Sequence, residues 1–135
     1  MHSDALSGAV SSGRMWTGRI LSGLAILFLL MDGVMKLFKP AAVIQACARL
    51  GLPESTIVPI GIALLVCTIL YAIPLTSILG AILLTGYLGG AVATHVRVGD
   101  PLFSHILLPV YIGIIVWAGL HARNPQLQKL IPFRN

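Results

Sequence analysis

In ILSGLAILFLLMDGVMKLF, residues 20–38, nineteen residues carry only two charges, Asp32 and Lys36, and both fall in its last two turns. A helix needs about 20 apolar residues to cross roughly 30 Å of hydrocarbon, so this run predicts a membrane span. Arg19 opens it, and Lys39-Pro40 closes it, because proline disfavours helical geometry in the residue before it. Three further runs follow at about Ile57–Ile73, Thr76–Val96 and Leu102–His121, with Pro109 expected to kink the last. Composition agrees. Hydrophobic residues make up 57% of the 135, charged residues 10%, and the mean hydropathy is +0.95. A soluble domain carries roughly a quarter charged residues. The predicted fold is all-α: a polytopic four-helix membrane bundle of up-down topology.

Between spans one and two, Pro40–Gly51 reads as a short surface helix, with proline suited to a first turn and glycine to the position past the end. Val43, Ile44, Cys47 and Leu50 recur at helical spacing, and Gln45 and Arg49 fall on another face. Pro74 leaves room only for a tight antiparallel hairpin between spans two and three. Gly99-Asp100-Pro101 turns the chain into span four, with Asp100 placed to cap it. The expected organisation is a flexible lead at residues 1–14, a membrane domain at 15–125 and a short basic tail at 126–135.

The net charge of +5 and pI near 9.8 do not indicate nucleic acid, since the basic residues stand singly at the ends of apolar runs. They act instead as topology signals. Five basic residues, Arg14, Arg19, Arg123, Lys129 and Arg134, flank the side of the termini. Lys36, Lys39, Arg49 and Arg97 flank the other, so the positive-inside rule narrowly predicts cytoplasmic termini. Cys47 and Cys67 have neither Cys-x-x-Cys nor metal-ligand spacing, which predicts no metal site.

Up-down connectivity gathers Asp32, Lys36, Glu54, His95, Arg97, Asp100 and His105 at the end away from the termini, and leaves the opposite half almost without ionisable groups. Asp32 lies six residues before the end of span one, about 9 Å deep at about 1.5 Å per residue. Lys36 follows at i+4, the favourable order for a same-face pair. Two readings stay open for the pair: a structural ion pair that fixes packing, or a ligand or proton site. Span three is rich in small residues, from Gly80 and Ala81 to Gly86, Gly89, Gly90 and Ala93, and is expected to be the central helix against which the pair packs. Arg97 is expected to pair with Asp100 or Asp32, His95 and His105 are candidate proton-exchanging groups, and Tyr87 and Tyr111 could offer inward hydroxyls.

The stretch Asp32-Gly33-Val34-Met35-Lys36, together with GYLGGAVATHVRVGDP at 86–101, resembles the DoxX-like family of small four-helix membrane proteins. The resemblance covers roughly residues 15–125, and Asp32, Lys36, His95 and Arg97 match the family's polar positions. It implies a bacterial inner-membrane protein related to DoxX and to the DoxD-type subunit of thiosulfate:quinone oxidoreductase. With no Cys-x-x-Cys present, the redox role it implies needs a quinone, a haem or a partner subunit. The spacing of His95 and His105 disfavours haem ligation. The leading expectation is an accessory subunit, not catalytic alone, whose ligand or proton site (Asp32, Lys36, Tyr87, His95, Arg97, Asp100, His105, Tyr111) binds a small amphipathic molecule such as a quinone for a partner oxidoreductase. The expected partners are the bilayer, that oxidoreductase subunit or a second copy of the chain. The alternatives are a small proton-coupled multidrug-type transporter and a structural assembly factor.

Overall fold

Apolar runs separated by proline and glycine fold as the spacing predicts. The computed structural model describes residues 12–132. Six helices follow one another: α1 (Ser12–Phe38), α2 (Ala41–Arg49), α3 (Ile57–Ala72), α4 (Ser77–Arg97), α5 (Leu108–Arg123) and α6 (Pro125–Leu130). No strand occurs among the described residues. Four segments, Ser12–Phe38, Glu54–Ala72, Pro74–Arg97 and Leu102–Arg123, are long and apolar enough to cross a membrane. They alternate up and down, each packed on its chain neighbours, with α5 returning to α1.

Most of the lead expected at residues 1–14 lies outside the described residues, as do 133–135 of the tail. Residues 12–14 continue α1 as helix, two turns before the expected start of span one. The tail is helical through α6, whose N-terminus is capped by Asn124 Oδ1 accepting from the Leu127 amide at 3.0 Å.

The connections have clear causes. Pro40 is the N-cap of α2 rather than a first-turn residue, and Gly51 follows its end at φ +80°, the left-handed position that glycine favours. Between α3 and α4, Thr76 Oγ1 donates to Leu70 O (2.7 Å) and Ser77 Oγ to Ile73 O (2.9 Å), which fastens the three-residue turn Pro74–Thr76. Before α5 the chain makes a wider π-helical turn, Leu102–Ile106, with Leu107 N bonded to Leu102 O. Pro109 therefore starts α5 instead of kinking a continuous span, because a first turn needs no amide from it.

The core is Ala25 and Leu29 of α1, Leu64 and Tyr71 of α3, Ala81 and Leu84 of α4, and Val116 and Leu120 of α5, closed by Leu127. The outward faces carry Leu27, Ile62, Ile69, Leu79, Ile82 and Ile114, as lipid contact requires. The later part of the small-residue stripe of α4 is on the wrong side for the packing expected of it, while its first members, Gly80 and Ala81, turn inward. A Cβ added at Gly86, Gly89 or Gly90 meets nothing within 4 Å. The inward face of α4 is Ser77, Gly80, Ala81, Leu84 and Leu88, half a helical turn away. The close helix approaches are made elsewhere: Gly80 against the Tyr71 backbone joins α4 to α3, Gly33 on Gly61 joins α1 to α3, and Gly18 on Gly119 joins α1 to α5.

A polar network occupies the end of the bundle near the termini, where the sequence reading expected almost nothing. Tyr71 is fully buried, and its hydroxyl donates to Val116 O at 2.7 Å. Ser22 Oγ lies 3.0 Å from that hydroxyl and accepts from Arg123 Nε at 2.9 Å. The proton order is therefore Arg123 to Ser22 to Tyr71 to Val116 O, tying α5, α1 and α3 together.

Candidate functional site

At the end away from the termini, two polar groups form. The first is the pair read from the sequence: Lys36 Nζ donates to Asp32 Oδ2 at 2.8 Å. The Lys36 side chain is 15% exposed and that of Asp32 42%. The pair faces α3, not the glycine stripe of α4. Gly61 leaves room for the Lys36 stem, since a Cβ there would stand 2.8 Å from Lys36 Cβ. Tyr87 of α4 packs against the core. Tyr111 lies on the outer face of α5 and is 41% exposed, which removes it from the inward set.

Asp32→Asn and Lys36→Met are each expected to cost about 2 kcal/mol, somewhat less than the insertion penalty of a central charge, because either change leaves its partner's polar group unmatched. The double variant is expected to be milder than the sum by about 1 kcal/mol. Melting of the detergent-extracted protein measures the cycle, and strict additivity would count against coupling.

The second group centres on Asp100, whose side chain is 3% exposed. It does not cap the next helix. Arg49 of α2 donates Nη1 to Asp100 Oδ1 at 2.5 Å, and Nη2 approaches Oδ2 at 3.4 Å. His95 Nδ1, from the last turn of α4, meets Oδ2 at 2.5 Å. Arg97, expected to pair with Asp100 or Asp32, instead donates to Leu50 O at 2.5 Å. It passes over Gly51, where a Cβ would stand 3.0 Å from its Nη2. The correction has a simple cause. Arg97 leaves α4 about 200° around the helix axis from His95, so one carboxylate cannot take both. Arg49 was the residue missed; its signal was a cation in the last turn of an amphipathic helix that returns to the same end. Together Arg49 and Arg97 fasten α2 to the α4–α5 turn, while Lys39 Nζ and Glu54 Oε1, 3.6 Å apart, link the segments on either side of α2.

The His105 ring stands edge-on to His95 with centroids 5.9 Å apart, and its Nδ1 lies 2.8 Å from Ser104 Oγ. With Nδ1 of His95 held by the carboxylate, its Nε2 is the ring nitrogen left for a ligand. No hydrogen bond or ion pair among the described residues joins Asp32–Lys36 to the Asp100 cluster. Among the described residues no group of three or more His, Cys, Asp or Glu is arranged to hold a metal ion.

A family profile matches residues 20–119, the segment that carries both groups. The chain belongs to the DoxX-like family. No curated protein and no solved structure matches it. This DoxX-like chain is thus a small multi-pass membrane protein, with four apolar spans suited to a lipid bilayer.

In this DoxX-like protein the bond from Arg49, then that from His95, lowers the Asp100 carboxyl to about 2, against the opposing effect of burial. A folded-state value below the ordinary carboxylate range of about 3.9 means the bonded carboxylate stabilises fully above about pH 4. That contribution is lost as pH falls through about 2. The melting temperature is expected to decline across this window, and Asp100→Asn to flatten the decline. Identical slopes for the two proteins would remove Asp100 from the account.

Proposed function

We propose that this protein is an accessory membrane subunit that binds a small amphipathic molecule, a quinone by chemical class, for a partner oxidoreductase. The unit carrying this role is the four-span domain, residues 15–125, in a bacterial inner membrane with cytoplasmic termini. The observation that carries the reading is the His95–Asp100 pair. The buried carboxylate, itself held by Arg49, sets the orientation and tautomer of a half-buried imidazole at the mouth of the bundle.

Quinone chemistry transfers protons together with electrons, so a site for it needs a side chain that can take a proton from a quinol hydroxyl. With Nδ1–H donated to the Asp100 carboxylate, a neutral His95 ring leaves Nε2 as that acceptor. The His105 ring stands edge-on beside it. Asp32 and Lys36 supply a second polar pair at the same end of the bundle. The electrons belong to the partner, because the chain's two cysteines, Cys47 and Cys67, are free thiols and sit apart in sequence and element.

The test is quinone retained on gently extracted protein, measured by mass spectrometry together with the co-purifying subunits. His95→Gln is expected to lower retention about tenfold, the loss of one well-made hydrogen bond to a ligand. Tyr111→Phe, on the outer face, is expected to leave it unchanged. Equal retention by the wild type and the His95 variant would refute the assignment.

A further inference from the structure

The short helix α2 is hinged at both ends. Lys39, just before its N-cap Pro40, has φ +49°, a left-handed conformation that a lysine enters only at steric cost, and Gly51 follows its other end at φ +80°. Segments that move turn on a few such residues at the ends of an element. The main backbone packing of α2 is on the turn Glu54–Thr56, rather than on α1, α3, α4 or α5. Side chains therefore decide where it sits.

Two arginines make the attachment, one sent from each side. Arg49, in the last turn of α2, donates to Asp100, and Arg97, in the last turn of α4, donates to Leu50 O at the C-cap of α2. The bond to Asp100 is built to be released. Its cation is already 55% exposed, so letting go returns to water a group that water half surrounds. The carboxylate, 3% exposed, is not orphaned by the release, because His95 Nδ1 stays bonded to Oδ2. A buried carboxylate left with no donor would bar the opening; this one keeps a donor.

The inward face of α2 is apolar and small. Cys47 is buried and Val43 and Ile44 are half-buried, while Gln45, Ala46 and Ala48 are exposed. No charge lies on that inward face, so parting it from the bundle uncovers one thiol and two aliphatic side chains. Such a segment belongs to the low-stability end of a structure, where local opening precedes global unfolding.

We propose that α2 is a hinged lid on this end of the bundle, latched by Arg49 on Asp100 and by Arg97 on Leu50 O. Its release uncovers the face around Cys47 and leaves His95 sole hold of the Asp100 carboxylate. The position of α2 thus sets how firmly the Nδ1–H of His95 is held. What the opening admits rests on the quinone reading above; the lid itself does not.

The experiment is maleimide labelling of the full chain in maltoside detergent, with the rates at Cys47 and Cys67 read separately by peptide mass spectrometry. Labelling of a buried thiol follows the fraction of time its segment is open, so a lost latch bond shows directly as a faster rate. Arg49→Gln is expected to speed labelling of Cys47 about tenfold, and Arg97→Gln, which removes a bond at the surface, about threefold. Cys67, half-buried in α3, should label at the wild-type rate in both, because the lid opens without the bundle. Arg97 is exposed, so its variant decides the matter if Arg49→Gln fails to fold. His95→Gln keeps the Arg49 bond and is expected to leave Cys47 protected, so the lid and the quinone reading can fail separately. Unchanged Cys47 labelling in a folded variant, equal acceleration at Cys67, or a wild-type Cys47 that already labels as fast as in dodecyl sulfate would overturn the proposal.

Discussion

Gly80→Ala is expected to lower the melting temperature of the detergent-extracted protein by on the order of 10 °C. The α3–α4 hairpin turns within three residues, so the two helices approach most closely just beyond it. A Cβ at Gly80 would stand 2.2 Å from Tyr71 N, 2.5 Å from Tyr71 Cα and 2.7 Å from Leu70 C. All three are backbone atoms of a helix, which cannot rotate aside as a side chain can. Overpacking of a core costs typically 1–3 kcal/mol, and a backbone clash of this kind belongs at the upper end, about 3 kcal/mol. The separation must come from parting the helices at Tyr71, where the buried network also sits. Gly86→Ala and Gly90→Ala supply the contrast, because both meet open space. Each removes a helix-interior glycine, worth up to about 1 kcal/mol, so their melting should hold or rise. Equal losses at Gly80 and Gly86 would mean that α4 is turned the other way.

Tyr71→Phe carries the second large effect, about 2 kcal/mol, read as a lower melting temperature in the same detergent. The ring stays and the packing with it; only the hydroxyl goes. That hydroxyl donates to Val116 O and lies 3.0 Å from Ser22 Oγ, inside a residue with no exposed surface. Its removal leaves the Ser22 proton without an acceptor in a place water does not reach, and an unmet buried polar group costs about 1–3 kcal/mol. The cost is shared with Arg123, which donates to Ser22 Oγ, approaches Tyr71 O at 3.3 Å and stands over the Tyr71 ring at 5.3 Å. Tyr111→Phe is the matched control, since the Tyr111 hydroxyl has no hydrogen-bond partner among the described residues and the side chain faces outward. A Tyr71→Phe melt indistinguishable from that control would show that the network holds nothing together.

These two residues show where reading the chain stops. In sequence Tyr71 is one aromatic near the end of a span, and nothing in its neighbours marks it as the centre of a network whose members are 49 and 45 positions away. Gly80 and Gly86 look alike in sequence, yet one is pressed against backbone and the other meets open space.

The sequence by itself determined the number of spans, their order, the tight hairpin at Pro74, the surface helix ending at Gly51 and the Asp32–Lys36 pair. Each of these is local: run length, a missing amide, a left-handed turn, or two charges one turn apart. Only the tertiary structure decided which face of each helix turns inward. In water, polarity marks the outer face of a helix; in a bilayer the outer face is as apolar as the core, so periodicity cannot tell Leu84 from Ile82. The same ambiguity hid the partner of Asp100, because Lys36, Lys39, Arg49 and Arg97 all reach the same end and only the rotation of α2 and α4 about their axes selects Arg49.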